Sequence, residues 1–494
     1  MLKQKLALSY ISKIILQFLQ FGVTIIVARI AGPSVLGTVA FGTSFVSLFL
    51  IFFNLGQGVA HIKLISEGED EIKCNGVFFR IQLLLSLVFF VLCIGFFLLN
   101  NYYNTFESSI HEEVILITIF TVSISNLFSI PRTYFNAKVE QAKTDIPDVL
   151  RQVIYQALRL FVVLLGYGAV AISLSNLTAT ILIIPFYIYL SRDLKWGKWD
   201  KILFKKYVVI AFPVFITNIT DILLSNSDKV LLQYYYNSTE VGYYIAGLSI
   251  GGLITLIGNS AGLVLFPVLS KNFSENNYEK IKLIIGKFEQ FTWLFIFPIV
   301  LVMSLGSDLI VQLFLGQKYS RSIPVFTIIS FSSFLTTFFI IYGVILSSKG
   351  YFKLNARIYI MKLIFFLASA FLLIHPSLFF LGSKGIAFSL LLSNLFTGLI
   401  FIYNVKKYVR EVIILSSYKI IIFSLLFIIP AFMIYHNTEI ASLKVIILVL
   451  IPLLFWCICW IIRLMKSTDI KLLFELLSPR LINSYIIGEI FKKN

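Results

Sequence analysis

Apolar blocks of about 20 residues, each long enough to cross a bilayer as a helix, run from end to end of the chain, separated by short polar stretches. The pattern predicts an all-α polytopic membrane protein with about fourteen transmembrane helices, at 9–30, 37–59, 77–98, 114–131, 152–166, 174–191, 207–234, 242–268, 288–305, 323–346, 358–374, 385–404, 420–435 and 445–463. The glycine-containing stretch "GYGAVAISLSN" (166–176) separates the fifth span from the sixth. A β-barrel is excluded, because its strands are about ten residues long and alternate in polarity. Residues 464–494 read as an amphipathic cytoplasmic segment lying on the membrane.

The polar positions repeat. Shifting the first two spans by 205 residues lays Gly37 on Gly242, Gly42 on Gly247 and Asn54 on Asn259, each Asn deep in the second helix of its pair. In the first span Lys13, Gln17, Gln20 and Thr24 are spaced as one helical face. Their shifted counterparts are Asn218, Ile222, Ser225 and Lys229, with Asp221 beside Ile222. The first and seventh spans thus carry matching polar stripes in the same direction. This predicts two parallel six-helix lobes, residues 1–205 and 206–410, followed by two added helices within 411–463 and the tail.

Charge orients the chain. Of its 494 residues 59% are hydrophobic and 13% charged, and the net charge is +17. In a membrane protein such an excess marks cytoplasmic loops rather than a nucleic-acid partner. With the N-terminus inside, inner loops and termini hold 30 of the 41 Lys and Arg, and outer loops hold only Lys318, Arg321, Lys384 and Lys444. Both termini are therefore expected in the cytoplasm, without a cleaved signal peptide. The loop 192–206 carries six of the basic residues and two Trp suited to the headgroup layer. The outer loops are too short for a catalytic domain, and no phosphate loop, acyl-transfer triad or metalloprotease motif is present, so an enzyme is not expected. The four His, at 61, 111, 375 and 436, fall in stretches read as loops and suggest no metal cluster. No cofactor is implied, and the four Cys suggest neither disulfide nor metal site.

A charge at the bilayer centre costs about 2.5–3.5 kcal/mol on insertion scales, so the stripes predict a hydrated cavity between the lobes, lined by the first and seventh spans. Candidate lining residues are Lys13, Gln17, Gln20, Arg29, Asn54, Arg159, Asn218, Ser225, Lys229 and Asn259. Arg159 shares its face with Gln152, Tyr155 and Gln156. For Lys13 and Arg29 an interfacial anchor is the alternative. Asp221, near the middle of its span, and Asp228 are candidates for carrying a coupling proton or sodium ion. Adjacent helical residues point about 100° apart, so Asp228 and Lys229 are each expected to need a partner of their own. An interhelix salt bridge near an outer gate and a transport role both fit this pair. Excess cations with amides suit an anionic, hydroxyl-rich cargo.

The block "LQFGVTIIVARIAGPSVLGTVAFGTSFVSLFLIFFNLGQGVAHIKL" (19–64), with its "ARIAGP" turn and "NLGQGVA", resembles the start of the polysaccharide-type oligosaccharide flippases of the multidrug/oligosaccharidyl-lipid/polysaccharide exporter superfamily. "AFPVFITNITDILLSNSDKVLLQYYYNSTEVGYYIAG", "LVLFPVLSK" and "LFLGQKY" are similar to the same family at corresponding places, and the likeness covers roughly residues 1–400. The resemblance implies a V-shaped two-lobe exporter with alternating access. It implies a bacterial cytoplasmic membrane protein that moves undecaprenyl-diphosphate-linked oligosaccharide units outward for O-antigen, capsule or exopolysaccharide. The family's "AR" falls on Ala28 and Arg29 and its "DK" on Asp228 and Lys229. A coupling ion, a polysaccharide polymerase and chain-length proteins are the partners this implies. The alternatives are a cation-coupled multidrug exporter of the same fold, and a membrane polysaccharide polymerase or ligase.

Overall fold

A computed structural model of the chain describes residues 2–103, 105–412, 418–438 and 440–465, with side chains from residue 16 onward. The expected tail beyond 465 and the side chain of Lys13 lie outside the described residues. All regular elements described are helical: α1 (Leu2–Leu48), α2 (Gln57–Ser66), α3 (Glu71–Tyr102), α4 (Ser109–Ala137), α5 (Gln141–Leu164), α6 (Ala169–Leu182), α7 (Ile184–Ser191), α8 (Lys201–Tyr235), α9 (Ser238–Gly251), α10 (Ile254–Ser274), α11 (Tyr278–Phe291), α12 (Phe297–Leu305), α13 (Ser307–Phe314), α14 (Ile323–Ser348), α15 (Phe352–Ile374), α16 (Gly382–Tyr408), α17 (Tyr418–His436) and α18 (Ala441–Ile461).

Among the described residues, twelve helical segments are long and apolar enough to cross a membrane. The first of these contains a break at Gly32 (φ 84, ψ 174), a conformation open essentially to glycine alone. Pro33 follows, with φ preset for a helix start. The "ARIAGP" stretch is therefore where the first two expected spans part. The fifth expected span, α5, carries too many charges to count among the twelve. It starts eleven residues earlier than its apolar run, at Gln141 rather than 152, because its first turns are polar on one face. Adding α5 and separating α1 at Gly32 recovers the expected count of about fourteen. Gly166 at φ 83 ends the turn before α6, which keeps the fifth and sixth helices apart.

The second expected span differs from its reading as one helix over 37–59. It tightens to a 3-10 turn at Phe49–Phe52, opens, and resumes as α2 after Gly56 at φ 90. A Cβ on Gly56 would stand 2.5 Å from the Ala211 carbonyl oxygen. Asn54 lies in this opening rather than deep in a helix. The eighth span is interrupted too, between α9 and α10, whereas Asn259 sits within α10. Two histidines read as loop residues are on helices. His61 of α2 is fully buried, stacked on Phe78 at 4.1 Å, with its Nδ1 2.6 Å from Tyr207 Oη. His111 is buried on α4.

By contact the chain divides into two compact units, residues up to Gly242 and residues from Tyr243. The first unit therefore includes α8. The division of the sequence at 205/206 is one of repetition rather than packing and stands as a proposal. Unit 1 has several small cores, such as Val23, Val27, Val163 and Ile172 where α1, α5 and α6 meet. Unit 2 has one large aromatic core around Trp293, Phe297, Phe334 and Phe338. Helices this apolar satisfy their backbone internally and leave their outer sides to lipid. The glycines paired by the 205-residue shift meet like elements. Gly42 closes on Val114 and Ile115 of α4, and Gly247 on Val325 and Phe326 of α14, each in its own unit.

Candidate functional site

The polar stripes of the first and seventh spans both lie in unit 1, one on the first arm of α1 and one on α8, and Val230 of α8 packs against the core of Phe41, Val46 and Phe49 beyond the Gly32 break. Gln17, Gln20, Asp221 and Ser225 are exposed; Thr24, Asn218 and Lys229 are half-buried. Asn218 Nδ2 donates to the Asn54 carbonyl oxygen at 3.0 Å, capping an acceptor that the break in the second span releases from its helix. Thus α8 is tied to the opening before α2 by two of the expected residues, one through its main chain. Arg29 is exposed on α1 and, like Asp221, is engaged in an interaction. Asn259 is exposed in unit 2 and is not among the residues brought together here.

Among the described residues, Arg159 is the most buried of the expected cations, 7% exposed. Its Nη1 donates to Thr24 Oγ1 at 3.1 Å, and its guanidinium lies 6.0 Å from the Tyr155 ring centre. Its Nε is buried and has no hydrogen-bond partner among the described residues. A buried guanidinium with an unspent donor is costly unless an anion or water completes it.

The expectation that Asp228 and Lys229 need separate partners is corrected. Lys229 Nζ donates to Asp228 Oδ1 at 2.8 Å and also to the Ser225 carbonyl oxygen, one turn back. The Lys229 backbone N–H donates to the same Asp228 oxygen at 2.8 Å. Their Cβ bonds do diverge, but the four-carbon lysine stem is long enough to fold back along the helix. The side chains are 5% and 12% exposed, so the two form a buried ion pair within one helix, and Asp228 is engaged in a further interaction as well.

The sequence reading missed a second cluster. Arg132 of α4 makes an ion pair with Asp148 of α5. Tyr187 of α7 donates to Asp148 at 3.0 Å and accepts from Arg132 at 3.2 Å. Arg151 reaches Asn176 Oδ1 at 3.2 Å. Arg132, Asp148 and Arg151 border a cavity of about 250 Å³ lined also by Leu16, Asp145 and Gln152. The signal was present in the sequence. Asp145, Asp148, Gln152, Tyr155 and Arg159 are spaced 3, 4, 3, 4 and form one face of α5. Reading the fifth span from 152 cut that stripe in half. Among the described residues, no group of three His, Cys, Asp or Glu is placed to hold a metal.

This architecture has known counterparts. The solved lipid II flippase MurJ, in an inward closed conformation, matches with a TM-score of 0.70 at 16% identity, covering 93% of this chain and 100% of its own. A multidrug resistance MATE family transporter of the MOP superfamily matches in its inward-facing conformation with a TM-score of 0.59 at 15% identity, over 80% of this chain and 95% of its own. An outward-facing structure of such a transporter matches at 0.51 and 14% identity, over 83% and 95%. At these identities the likeness shows a shared fold. A search of curated proteins finds no match. The profile described as polysaccharide biosynthesis protein matches residues 26–324, more than half of the chain. It takes in α8 and the whole second cluster, and the chain belongs to the polysaccharide biosynthesis protein family.

Proposed function

We propose that the protein is a flippase that carries undecaprenyl-diphosphate-linked oligosaccharide units across the bacterial cytoplasmic membrane by alternating access, with both termini in the cytoplasm. The observation that carries this reading is the half-buried polar face of α5, where buried Arg159 keeps a donor with no partner among the described residues beside Thr24 of α1. A cation held in an apolar helix bundle suits a diphosphate, because charge-assisted hydrogen bonds strengthen where water is scarce. Family membership and a fold shared with a lipid II flippase support it. Gln17, Gln20, Asn218 and Ser225 would meet the sugar hydroxyls, and Asp221 or Asp228 would carry a coupling proton or sodium ion. O-antigen, capsule and exopolysaccharide assembly all fit, with a polymerase and chain-length proteins acting on the product.

Deletion of the gene tests the reading. Undecaprenyl-linked repeat units should accumulate on the cytoplasmic leaflet and surface polysaccharide should disappear, with wild-type protein restoring it. Arg159→Gln should transport about tenfold more slowly than wild type at equal expression, the worth of one charged hydrogen bond. Normal polysaccharide in a deletion strain with no second flippase would overturn the proposal. The fold shared with MATE transporters favours one other reading, a cation-coupled drug exporter. Drug sensitivity with intact polysaccharide would select it.

A further inference from the structure

We propose that unit 2 carries a site for the phosphate of an anionic phospholipid headgroup, built from α11, the start of α17 and the chain just past α18. A cavity of about 840 Å³ lies there. Its charged lining is Glu279, Lys282 and Lys287 from α11, Lys419 from α17, and Arg463. Glu279 pairs with Lys282 at 2.9 Å, but its side chain is 88% exposed, so solvent screens that pair. Among the described residues, Lys287, Lys419 and Arg463 have no carboxylate partner. The cavity therefore gathers a net positive charge with donors from α11, α17 and the chain past α18.

Arg463 strengthens the assignment. It occupies the residue after α18 closes, with φ 57, and the closing turn is held by Arg463 N–H to the Trp460 carbonyl and Leu464 N–H to the Cys459 carbonyl. That left-handed position normally favours glycine. An arginine there accepts a backbone cost at the place where its charge joins the three lysines.

The surroundings identify the ligand class. Leu283 and Leu464 line the same cavity, so cations and apolar wall adjoin. The flanking α17 and α18 expose Ile422, Leu426, Trp460 and Ile461, an apolar belt of the kind that meets acyl chains. All three contributing ends lie on the face that the Lys and Arg bias makes cytoplasmic, where anionic lipid headgroups attract basic residues. A basic pocket at the edge of an apolar belt fits a molecule with a phosphate at one end and acyl chains at the other. A soluble anion would gain nothing from the belt. The site does not depend on what the protein transports.

The test uses full-length protein in neutral detergent, titrated with phosphatidylglycerol or phosphatidylcholine and read by native mass spectrometry. Wild type should retain phosphatidylglycerol in preference to phosphatidylcholine. The triple variant Lys287→Gln, Lys419→Gln, Arg463→Gln should lose roughly a hundredfold in that retention, about 3 kcal/mol at 1.4 kcal/mol per tenfold. Lys287→Arg with Lys419→Arg should keep it, which separates lost charge from lost fold. A second triple variant, Lys271→Gln, Lys353→Gln, Arg357→Gln, removes as much charge from residues that do not line the cavity and should stay within about twofold of wild type, since each charge acts over about a Debye length. Equal loss in both triple variants, or equal retention of the two lipids, would overturn the site. Inorganic phosphate displacing the lipid at equal concentration would assign the pocket to a free anion and overturn the lipid assignment.

Discussion

Lys229 folding back onto Asp228 changes what each acidic residue of α8 is expected to do. The Asp228 carboxylate is nearly sealed from solvent and accepts both the ammonium and the N–H of Lys229. Removing one partner of a buried pair leaves an uncompensated charge, which costs about 3 kcal/mol, whereas replacing both with apolar residues is often close to neutral. Asp228→Leu should therefore lower the unfolding temperature in detergent, and adding Lys229→Leu should restore the part of that loss that belongs to the ion pair. A single variant as stable as wild type would show the pair to be dispensable. Asp221 is exposed on the stripe. Asp221→Asn should leave the unfolding temperature within a degree or two, an effect of surface size of about 0.5 kcal/mol, and slow transport more than Asp228→Asn does at equal expression. Equal, wild-type transport in both would remove the ion-coupling role.

Two features join elements within unit 1 where the end of α8 meets α9. The second arm of α1 crosses the start of α9 at backbone contact: a Cβ on Gly37 would lie 1.7 Å from the Ser238 carbonyl oxygen, and one on Gly242 would lie 1.9 Å from that of Pro33. Backbone cannot step aside as a side chain can. Gly242→Ala should cost about 2–3 kcal/mol by overpacking, measured as a fall in thermal stability. Gly42→Ala meets only the tip of Val114, 2.6 Å away, and should cost less. Beside this crossing, Glu107 from the loop after α3 accepts from Gln233 Nε2 and Ser238 Oγ, both at 2.6 Å, and from Ser238 N–H at 3.0 Å. Partial burial opposes its charge, but these donors, with His111 at 3.5 Å, hold its pKa below the ordinary glutamate value. A depressed carboxylate pKa means stabilisation fully present above the unfolded value, about 4.3, and lost as pH falls through the folded one. Hydrogen exchange over residues 236–242 should therefore quicken on acidification below about pH 4.3. Glu107→Gln should exchange faster at neutral pH and lose much of that pH response. An unchanged response would assign it to another group.

At the scale of the whole molecule, the fold is that of the MOP transporters and the sidedness rests on charge. In a background without the four native cysteines, Lys318→Cys and Lys384→Cys should react with a membrane-impermeant maleimide in intact cells. Lys195→Cys should react only after permeabilisation. The reverse pattern would invert the orientation and place the basic cavity of unit 2 outside.

The sequence by itself determined the helical class, the spans and the polar stripes. Each follows from local physics: a membrane helix satisfies its own backbone hydrogen bonds, so the length and spacing of apolar residues suffice to mark it. The "ARIAGP" break and the separation of the fifth and sixth helices were legible for the same reason, since glycine and proline act on their own neighbours. Tertiary structure alone decided which polar groups meet. Arg132, Asp148 and Tyr187 come from three helices, and nothing in their spacing along the chain brings them together. The opening at Asn54 depends on how closely Gly56 approaches the carbonyl of Ala211, 155 residues on. The Asp228–Lys229 pair lay at the margin. Helical geometry fixed the divergence of the two Cβ bonds, but burial on α8 folded the lysine back, because an ammonium shut away from water gains most from the nearest carboxylate.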